Sequence, residues 1–138
     1  MQLREFRFPD DYPAVLDLWQ RAGPGIHVGP SDTPEEIARK VERDPDLFLV
    51  AEEHGRIVGS VIGGFDGRRG MVYHLAVEAA ERGRGLGRRL MQEVEDRLRA
   101  KGCCKVYLLV MDGNSALDFY KNLGWDTMDA TLLAKQLL

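Results

Sequence analysis

Glycine residues alternate with arginine and leucine in one short segment of the chain, residues 82–88. Gly83, Gly85 and Gly87 occupy every second position, which removes side chains where a ligand could approach the backbone closely. The segment leads into an amphipathic helix, whose N-terminus presents unpaired N–H groups and about half a positive charge. This pattern predicts a binding site for a phosphate or a pyrophosphate.

Arginine side chains add positive charge to the same turn, although the chain as a whole has a net charge of −3. Four arginines fall within eight positions, namely Arg82, Arg84, Arg88 and Arg89. Two better-known phosphate loops do not fit the segment. A P-loop ends in Gly-Lys-Ser/Thr, which the sequence lacks. A dinucleotide-binding loop reads G-x-G-x-x-G in an early βαβ unit, whereas this turn reads G-x-G-x-G and follows a predicted antiparallel meander.

The composition is that of an ordinary globular chain. Its 138 residues are 44% hydrophobic and 30% charged, which fits one domain over residues 1–138. Acidic residues number 22 and basic residues 19, which argues against a nucleic-acid-binding protein. Charges near the start interrupt any signal peptide and no apolar run approaches the roughly 18 residues of a membrane helix, so we expect a cytoplasmic protein without a membrane partner. Two adjacent cysteines and three scattered histidines predict neither a disulfide nor a metal site.

The elements that position the turn follow from hydrophobic periodicity and turn residues. All six prolines fall at or before Pro45, which predicts an irregular first third followed by regular structure. Thr33 should cap a helix, with Glu36 completing a capping box.

The predicted order is a strand at 3–8, a helix from 9, a Gly/Pro loop at 23–32, a helix from 33, antiparallel strands at 47–53, 57–62 and 71–77, a helix from 86, a doubly buried strand at 106–111, a helix at 115–122, and one or two strands at 131–137. The fold class is therefore α/β (α+β), with a mixed, mostly antiparallel sheet and helices on both faces.

Two segments resemble motifs of a known family. Arg82-Gly83-Arg84-Gly85-Leu86-Gly87 is similar to the R-G-x-G-x-G/A acyl-CoA loop of GCN5-related N-acetyltransferases (GNAT). Phe119-Tyr120-Lys121-Asn122-Leu123-Gly124-Trp125 resembles the second motif of that family, aromatic-Tyr-x-x-x-Gly-aromatic. The predicted order of elements also fits the GNAT fold, so the resemblance covers nearly the whole chain. The runs at 47–52 and 63–70 look closest to the bacterial YpeA-like subgroup.

The resemblance implies that acetyl-CoA binds at the turn as the acyl donor, without a metal. The residues that it assigns to cofactor binding are Leu75, Ala76, Val77, Arg82, Gly83, Arg84, Gly85, Leu86, Gly87, Arg88 and Asn114. Backbone groups near Leu75 and Val77 would pair with the pantetheine arm like an extra strand. The family places a helical asparagine seven residues before the tyrosine, where this chain has Gly113, and Asn114 stands six before.

The resemblance also implies a reaction. A neutral primary amine, on a small molecule or a protein N-terminus, attacks the thioester directly, and Tyr120 is the catalytic residue that protonates the leaving thiolate. The alternative is a GNAT module that binds acyl-CoA without turnover, as a sensor or interaction domain. Family members often form homodimers, so a second copy is among the expected partners.

The general base that deprotonates the amine stays open in the sequence. Many relatives have a glutamate on the third strand of the meander, where this chain reads Met71-Val72-Tyr73-His74. The alternatives are His74, Tyr73, Asp112, Glu53 or a bound water, and His74 is also compatible with a side chain on the other face of the sheet. His27, in the Gly/Pro loop, could contact the acceptor.

Overall fold

A computed structural model describes residues 1–23, 25–111 and 116–138. The elements are β1 (Gln2–Glu5), α1 (Tyr12–Arg21), α2 (Pro34–Arg43), β2 (Phe48–Glu53), β3 (Arg56–Phe65), β4 (Gly70–Val77), α3 (Leu86–Ala100), β5 (Val106–Leu108) and α4 (Leu117–Asn122). Two short 3₁₀ turns, Pro30–Asp32 and Ala79–Glu81, precede α2 and α3 respectively. No helix among these residues is long and apolar enough to cross a membrane.

The five strands form one sheet in the order β1-β2-β3-β4-β5. The first four strands pair antiparallel, because tight turns join β2 to β3 and β3 to β4. β5 pairs parallel to β4, since the chain crosses over through α3 between them. The mixed, mostly antiparallel sheet predicted from the sequence is confirmed.

Helices cover both faces of the sheet, as predicted, because the central strands are apolar on both sides. Along β2, Leu49 and Ala51 face one hydrophobic cluster, and Phe48 and Val50 face the other. The first cluster is covered by a stripe of α3: Leu86, Leu90, Met91, Val94 and Leu98. The second is covered by α1 and α2, through Val15, Leu18, Trp19 and Ile37. The spacing of these residues by three or four positions is what makes the segments amphipathic helices.

Polar contacts fix the ends of these elements. Arg4 of β1 donates to both carboxylate oxygens of Asp11, at 2.7 and 3.0 Å, and to Glu52 of β2 at 2.6 Å. Thr33 caps α2 by accepting a bond from the Glu36 N–H at 3.3 Å. The other half of the predicted capping box does not form, because the Glu36 carboxylate pairs with Arg39 instead.

Several elements differ from the sequence prediction. α1 begins at Tyr12 rather than at residue 9, and β3 continues to Phe65 rather than ending near residue 62. β1 ends at Glu5 rather than near residue 8. β5 spans three residues rather than 106–111, and Leu109 and Met111 are 52% and 49% exposed rather than doubly buried, because no described strand covers its outer edge. The strands predicted at 131–137 are wrong: this segment has no regular structure, and its apolar residues are consecutive rather than alternating.

Candidate active site

A gap opens in the sheet between β4 and β5. The two strands pair only at Gly70–Val106, Met71–Tyr107 and Val72–Leu108. Past Val72 the two strands separate. On the side of β4 that faces β5, no described strand pairs with it from Tyr73 to Val77. A cleft of about 750 Å³ lies there, within the range of small-molecule sites.

Most of the predicted cofactor-binding residues line this cleft. Those that do are Leu75, Ala76, Val77, Arg82, Gly83, Gly85, Leu86, Gly87 and Arg88. Arg84 does not, because its side chain points to Glu81, with which it pairs at 3.3 Å. Asn114 lies outside the described residues. The glycine spacing and the family resemblance together thus indicated one wall of the cleft, but not the direction of each side chain.

The three glycines of the turn have structural reasons of their own, which the sequence interpretation did not recognise. Gly83 and Gly85 adopt left-handed backbone conformations with φ of 81° and 80°, and Gly85 is the N-cap of α3. At Gly87 an added Cβ would lie 3.1 Å from the ring of Phe119, so this glycine lets α4 pack against the first turn of α3. The left-handed glycines therefore set the path of the turn. As a result, the N-terminus of α3 lies at the cleft.

The arginines of the turn divide into two kinds. Arg82 is structural, since it donates to the carbonyls of Val77 at 3.2 Å and Ala22 at 3.0 Å and so ties the turn to β4 and to the end of α1. Arg88 and Arg89 form no ion pair with a described residue, and only Arg88 lines the cleft. Arg88 is therefore the cation available to an anionic ligand.

Tyr120 reaches the cleft from α4. Its ring packs edge-on against Phe119 at 5.1 Å and Trp125 at 6.3 Å. Burial raises the pKa of the Tyr120 phenol above its ordinary value, so the hydroxyl stays protonated through neutral pH. The group has the protonation state that a proton donor requires.

A β-bulge on β4 places His74 at the other end of the cleft. Ser60 of β3 stands opposite Ala76 and Ile62 stands opposite Tyr73, so β4 has one more residue than β3 across this stretch. His74 takes up the extra length with a left-handed backbone, at φ of 49°. A bulge of this kind re-aims a side chain, and His74 both lines the cleft and packs edge-on against Trp19 of α1 at 4.6 Å.

The other base candidates are placed differently. Tyr73 lines the cleft, Glu53 does not, and Asp112 lies outside the described residues. His27, predicted to contact the acceptor, also lines the cleft. Sequence reasoning missed Asp32, whose Oδ1 lies 3.0 Å from His74 Nε2. Because Asp32 directly precedes the helix cap Thr33, it resembles an ordinary polar loop residue. Only the tertiary fold brings it to β4.

Comparisons with known proteins agree with this geometry. A family model described as the acetyltransferase (GNAT) family matches residues 12–125. An acetyltransferase of Pectobacterium atrosepticum is 45% identical over 140 residues, covering 100% of this chain and 96% of its own. One from Sodalis glossinidius is 43% identical over 135 residues, covering 96% and 92%.

Solved structures share the fold. A putative acetyltransferase from Agrobacterium tumefaciens has a TM-score of 0.76 at 23% identity, over 99% of this chain and 100% of that one. The PaiA N-acetyltransferase from Thermoplasma acidophilum, solved in complex with coenzyme A, has a TM-score of 0.80 at 18% identity, over 94% and 92%. The YpeA-like subgroup stays a prediction. With the split sheet, the glycine turn and relatives that match along its whole length, the chain belongs to the GNAT family of acetyltransferases.

Proposed function

We propose that this chain transfers an acetyl group from acetyl-CoA to a primary amine, on a small molecule or a protein N-terminus. The observation that carries the proposal is the cleft between β4 and β5, with the glycine turn at one end and Tyr120 in its wall. Residues 1–138 act as one acetyltransferase domain in this proposal, with a cytoplasmic location.

The cleft fits the chemistry of the donor. Backbone N–H groups from Gly83 to Gly87, the N-terminus of α3 and the Arg88 guanidinium would hold the pyrophosphate. The unpaired edge of β4 at Leu75 and Val77 offers backbone donors and acceptors to the amide groups of the pantetheine arm. When bound, acetyl-CoA supplies an acetyl group activated as a thioester.

Tyr120 performs the protonation step. As the amine nitrogen bonds to the acetyl carbon and the carbon–sulfur bond breaks, the Tyr120 hydroxyl gives its proton to the leaving sulfur. The proton that the attacking nitrogen must shed returns to the phenolate through solvent, so the products are an amide and a free thiol. The raised pKa of Tyr120 suits this role, because the proton is present at the start of each cycle.

A binding module without turnover is the second candidate. The observation that favours it is the absence of a carboxylate from Met71-Val72-Tyr73-His74, the stretch where the family resemblance implies a glutamate in many relatives. Both candidates require coenzyme A binding, so binding alone does not separate them.

The deciding experiment incubates the chain with acetyl-CoA and a panel of primary amines. We expect release of one free thiol for each N-acetylated amine detected by mass spectrometry. Calorimetric binding of coenzyme A without thiol release across the panel would favour the binding module. Failure to bind coenzyme A would contradict both functions.

A further inference from the structure

A hydrogen bond between a buried carboxylate and an imidazole connects the Gly/Pro loop to the bulge of β4. The Asp32 side chain is buried, with the residue 6% exposed, and His74 lines the cleft whereas Asp32 does not. Burying a carboxylate costs free energy unless its oxygens are bonded. Here Oδ1 meets His74 Nε2 at 3.0 Å, and Oδ2 accepts from the Gly29 N–H at 3.0 Å.

The bonds of Asp32 define the state of the histidine. Burial tends to raise the Asp32 pKa, but the hydrogen bonds from His74 and from the Gly29 N–H outweigh it, and the net pKa lies below its ordinary value. Asp32 is therefore an ionised carboxylate that only accepts hydrogen bonds. In the neutral imidazole, Nε2 must carry the hydrogen, so Nδ1 keeps its lone pair. Nδ1 has no hydrogen-bond partner among the described residues.

The ring and the carboxylate are both held in place. Ser60 Oγ donates to the His74 carbonyl at 3.3 Å and accepts from Trp19 Nε1 at 2.9 Å, which fixes the bulge. The Tyr12 hydroxyl donates to the Asp32 carbonyl at 2.6 Å, which fixes the loop. A histidine at a cleft with a buried carboxylate on one ring nitrogen and no described partner on the other is the arrangement of an oriented general base.

Resting on the proposed function, we propose that His74 is the general base for the acceptor amine and that Asp32 is its positioning residue. The ammonium R–NH₃⁺ gives one proton to Nδ1, leaving the neutral amine R–NH₂ and an imidazolium. Asp32 stabilises the charge of that imidazolium, and the proton then leaves to solvent. The base that the sequence left open is thereby assigned.

Other groups around the cleft do not replace this pair. Glu81 is the one carboxylate that lines the cleft within the described residues, and it pairs with Arg84 on the glycine turn. Burial raises the pKa of Tyr12 on α1, and the charges of Asp32 and of Glu35 on α2 raise it further. The other titratable groups near the pair are the cleft residues His27 on the loop, Tyr73 on β4 and Tyr120 on α4. None of these is an ionised carboxylate in contact with the imidazole.

The test substitutes His74→Asn and Asp32→Asn. Asparagine tolerates the left-handed backbone of His74. The matched control is His54→Asn, because His54 has the same conformation, with φ of 51°, in an exposed turn outside the cleft. Asp44→Asn controls for loss of a buried, paired aspartate away from the cleft. Melting temperature and coenzyme A affinity are measured for every variant.

With an alkylamine acceptor, we expect His74→Asn to lower kcat/KM by about 10²–10⁴-fold, as for a lost general base. An acceptor that is already neutral at pH 7, such as hydroxylamine, should be far less affected. Asp32→Asn should lower kcat/KM for the alkylamine more than for hydroxylamine, because the imidazole loses the carboxylate that orients it. Nitrogen NMR of the wild type should show the Nε2–H form, and Asp32→Asn should show a mixture of both forms.

If the wild type is active and His74→Asn keeps its rate with the alkylamine, the role of the His74–Asp32 pair is overturned while the proposed function stands. An equal loss for alkylamine and hydroxylamine would also overturn the role of the pair. A wild type that binds coenzyme A but acetylates no amine would instead overturn the proposed function.

Discussion

The Tyr120 hydroxyl lies in the wall of a cleft where burial keeps it protonated. We predict that Tyr120→Phe lowers kcat by about 10²–10⁴-fold, because the thiolate then leaves without a proton donor. The pKa of the Tyr120 phenol is raised above its ordinary value of 10.0. In the wild type, deprotonation of Tyr120 should therefore lower the rate only above pH 10.0, and this loss should be missing in Tyr120→Phe. Thiol release from acetyl-CoA across pH measures both effects.

Tyr107→Phe is the matched control, since Tyr107 on β5 contacts Arg69 and Lys105 outside the cleft. It should leave kcat unchanged. Equal activity of wild type and Tyr120→Phe would show that another group protonates the thiolate.

Arg88 and Arg89 are neighbours with different surroundings, because only Arg88 lines the cleft. We predict that Arg88→Gln weakens coenzyme A binding by about tenfold, the effect of one charge-assisted hydrogen bond of roughly 1.5 kcal/mol. Arg89→Gln should change it much less. Calorimetry at fixed ionic strength makes the comparison, and equal losses would mean that general charge, not contact, holds the phosphates.

For individual site residues, the sequence was informative where residues that act together lie close in the chain. The glycine spacing identified residues 82–88, and the motif around Tyr120 identified a wall of the cleft. Asp32 and His74 are 42 positions apart, so their pairing depends on how the loop docks on the sheet. No local pattern encodes that contact.

Among the elements, the turn before α3 combines backbone conformation with ligand geometry. We predict that Gly83→Ala and Gly55→Ala each lower the free energy of unfolding by about 1–2 kcal/mol, because both glycines have left-handed backbones, with φ of 81° and 75°, in open space. Only Gly83→Ala should also weaken coenzyme A binding, since Gly55 lies in the β2–β3 turn. Denaturant unfolding and calorimetry separate the two effects, and unchanged coenzyme A affinity in Gly83→Ala would count against the proposed phosphate site.

Element prediction succeeded where local periodicity was strong. The spacing of Leu86, Leu90 and Val94 predicted α3, and short turns made the central strands antiparallel. It failed where an element depends on distant partners. Among the described strands only β4 pairs with β5, which is short, and the apolar residues at 131–137 have no described strand beside them.

The stability of the whole molecule depends in part on the ion pair of Arg4 and Asp11, which joins the first strand to the first helix. Burial tends to raise the Asp11 pKa, but the bonds from Arg4 and the Arg7 N–H lower it overall. A lowered folded-state pKa stabilises the protein above the unfolded value of 3.8, and this stabilisation is lost as pH falls through the folded-state pKa. We predict that Asp11→Asn lowers the free energy of unfolding at pH 7 by about 1.5–3 kcal/mol.

That difference should shrink as pH falls below 3.8, which denaturant unfolding at several pH values can follow. Asp17→Asn is the control, because Asp17 forms an exposed pair with Arg21 on α1. Its effect should be below about 1 kcal/mol. If Asp11→Asn lowers the free energy of unfolding by the same amount at every pH, packing rather than charge accounts for the contribution of Asp11.

Under the proposed function, the separation of β4 from β5 links the lifetime of the protein to its supply of acyl-CoA. Past Val72 the sheet has an incomplete edge, and any ligand that pairs with it binds the folded chain but not the unfolded one. At a hundredfold excess over Kd, such a ligand adds about 2.7 kcal/mol to the free energy of unfolding. When acyl-CoA becomes scarce, we therefore expect the enzyme to open more often and to be degraded by proteases faster.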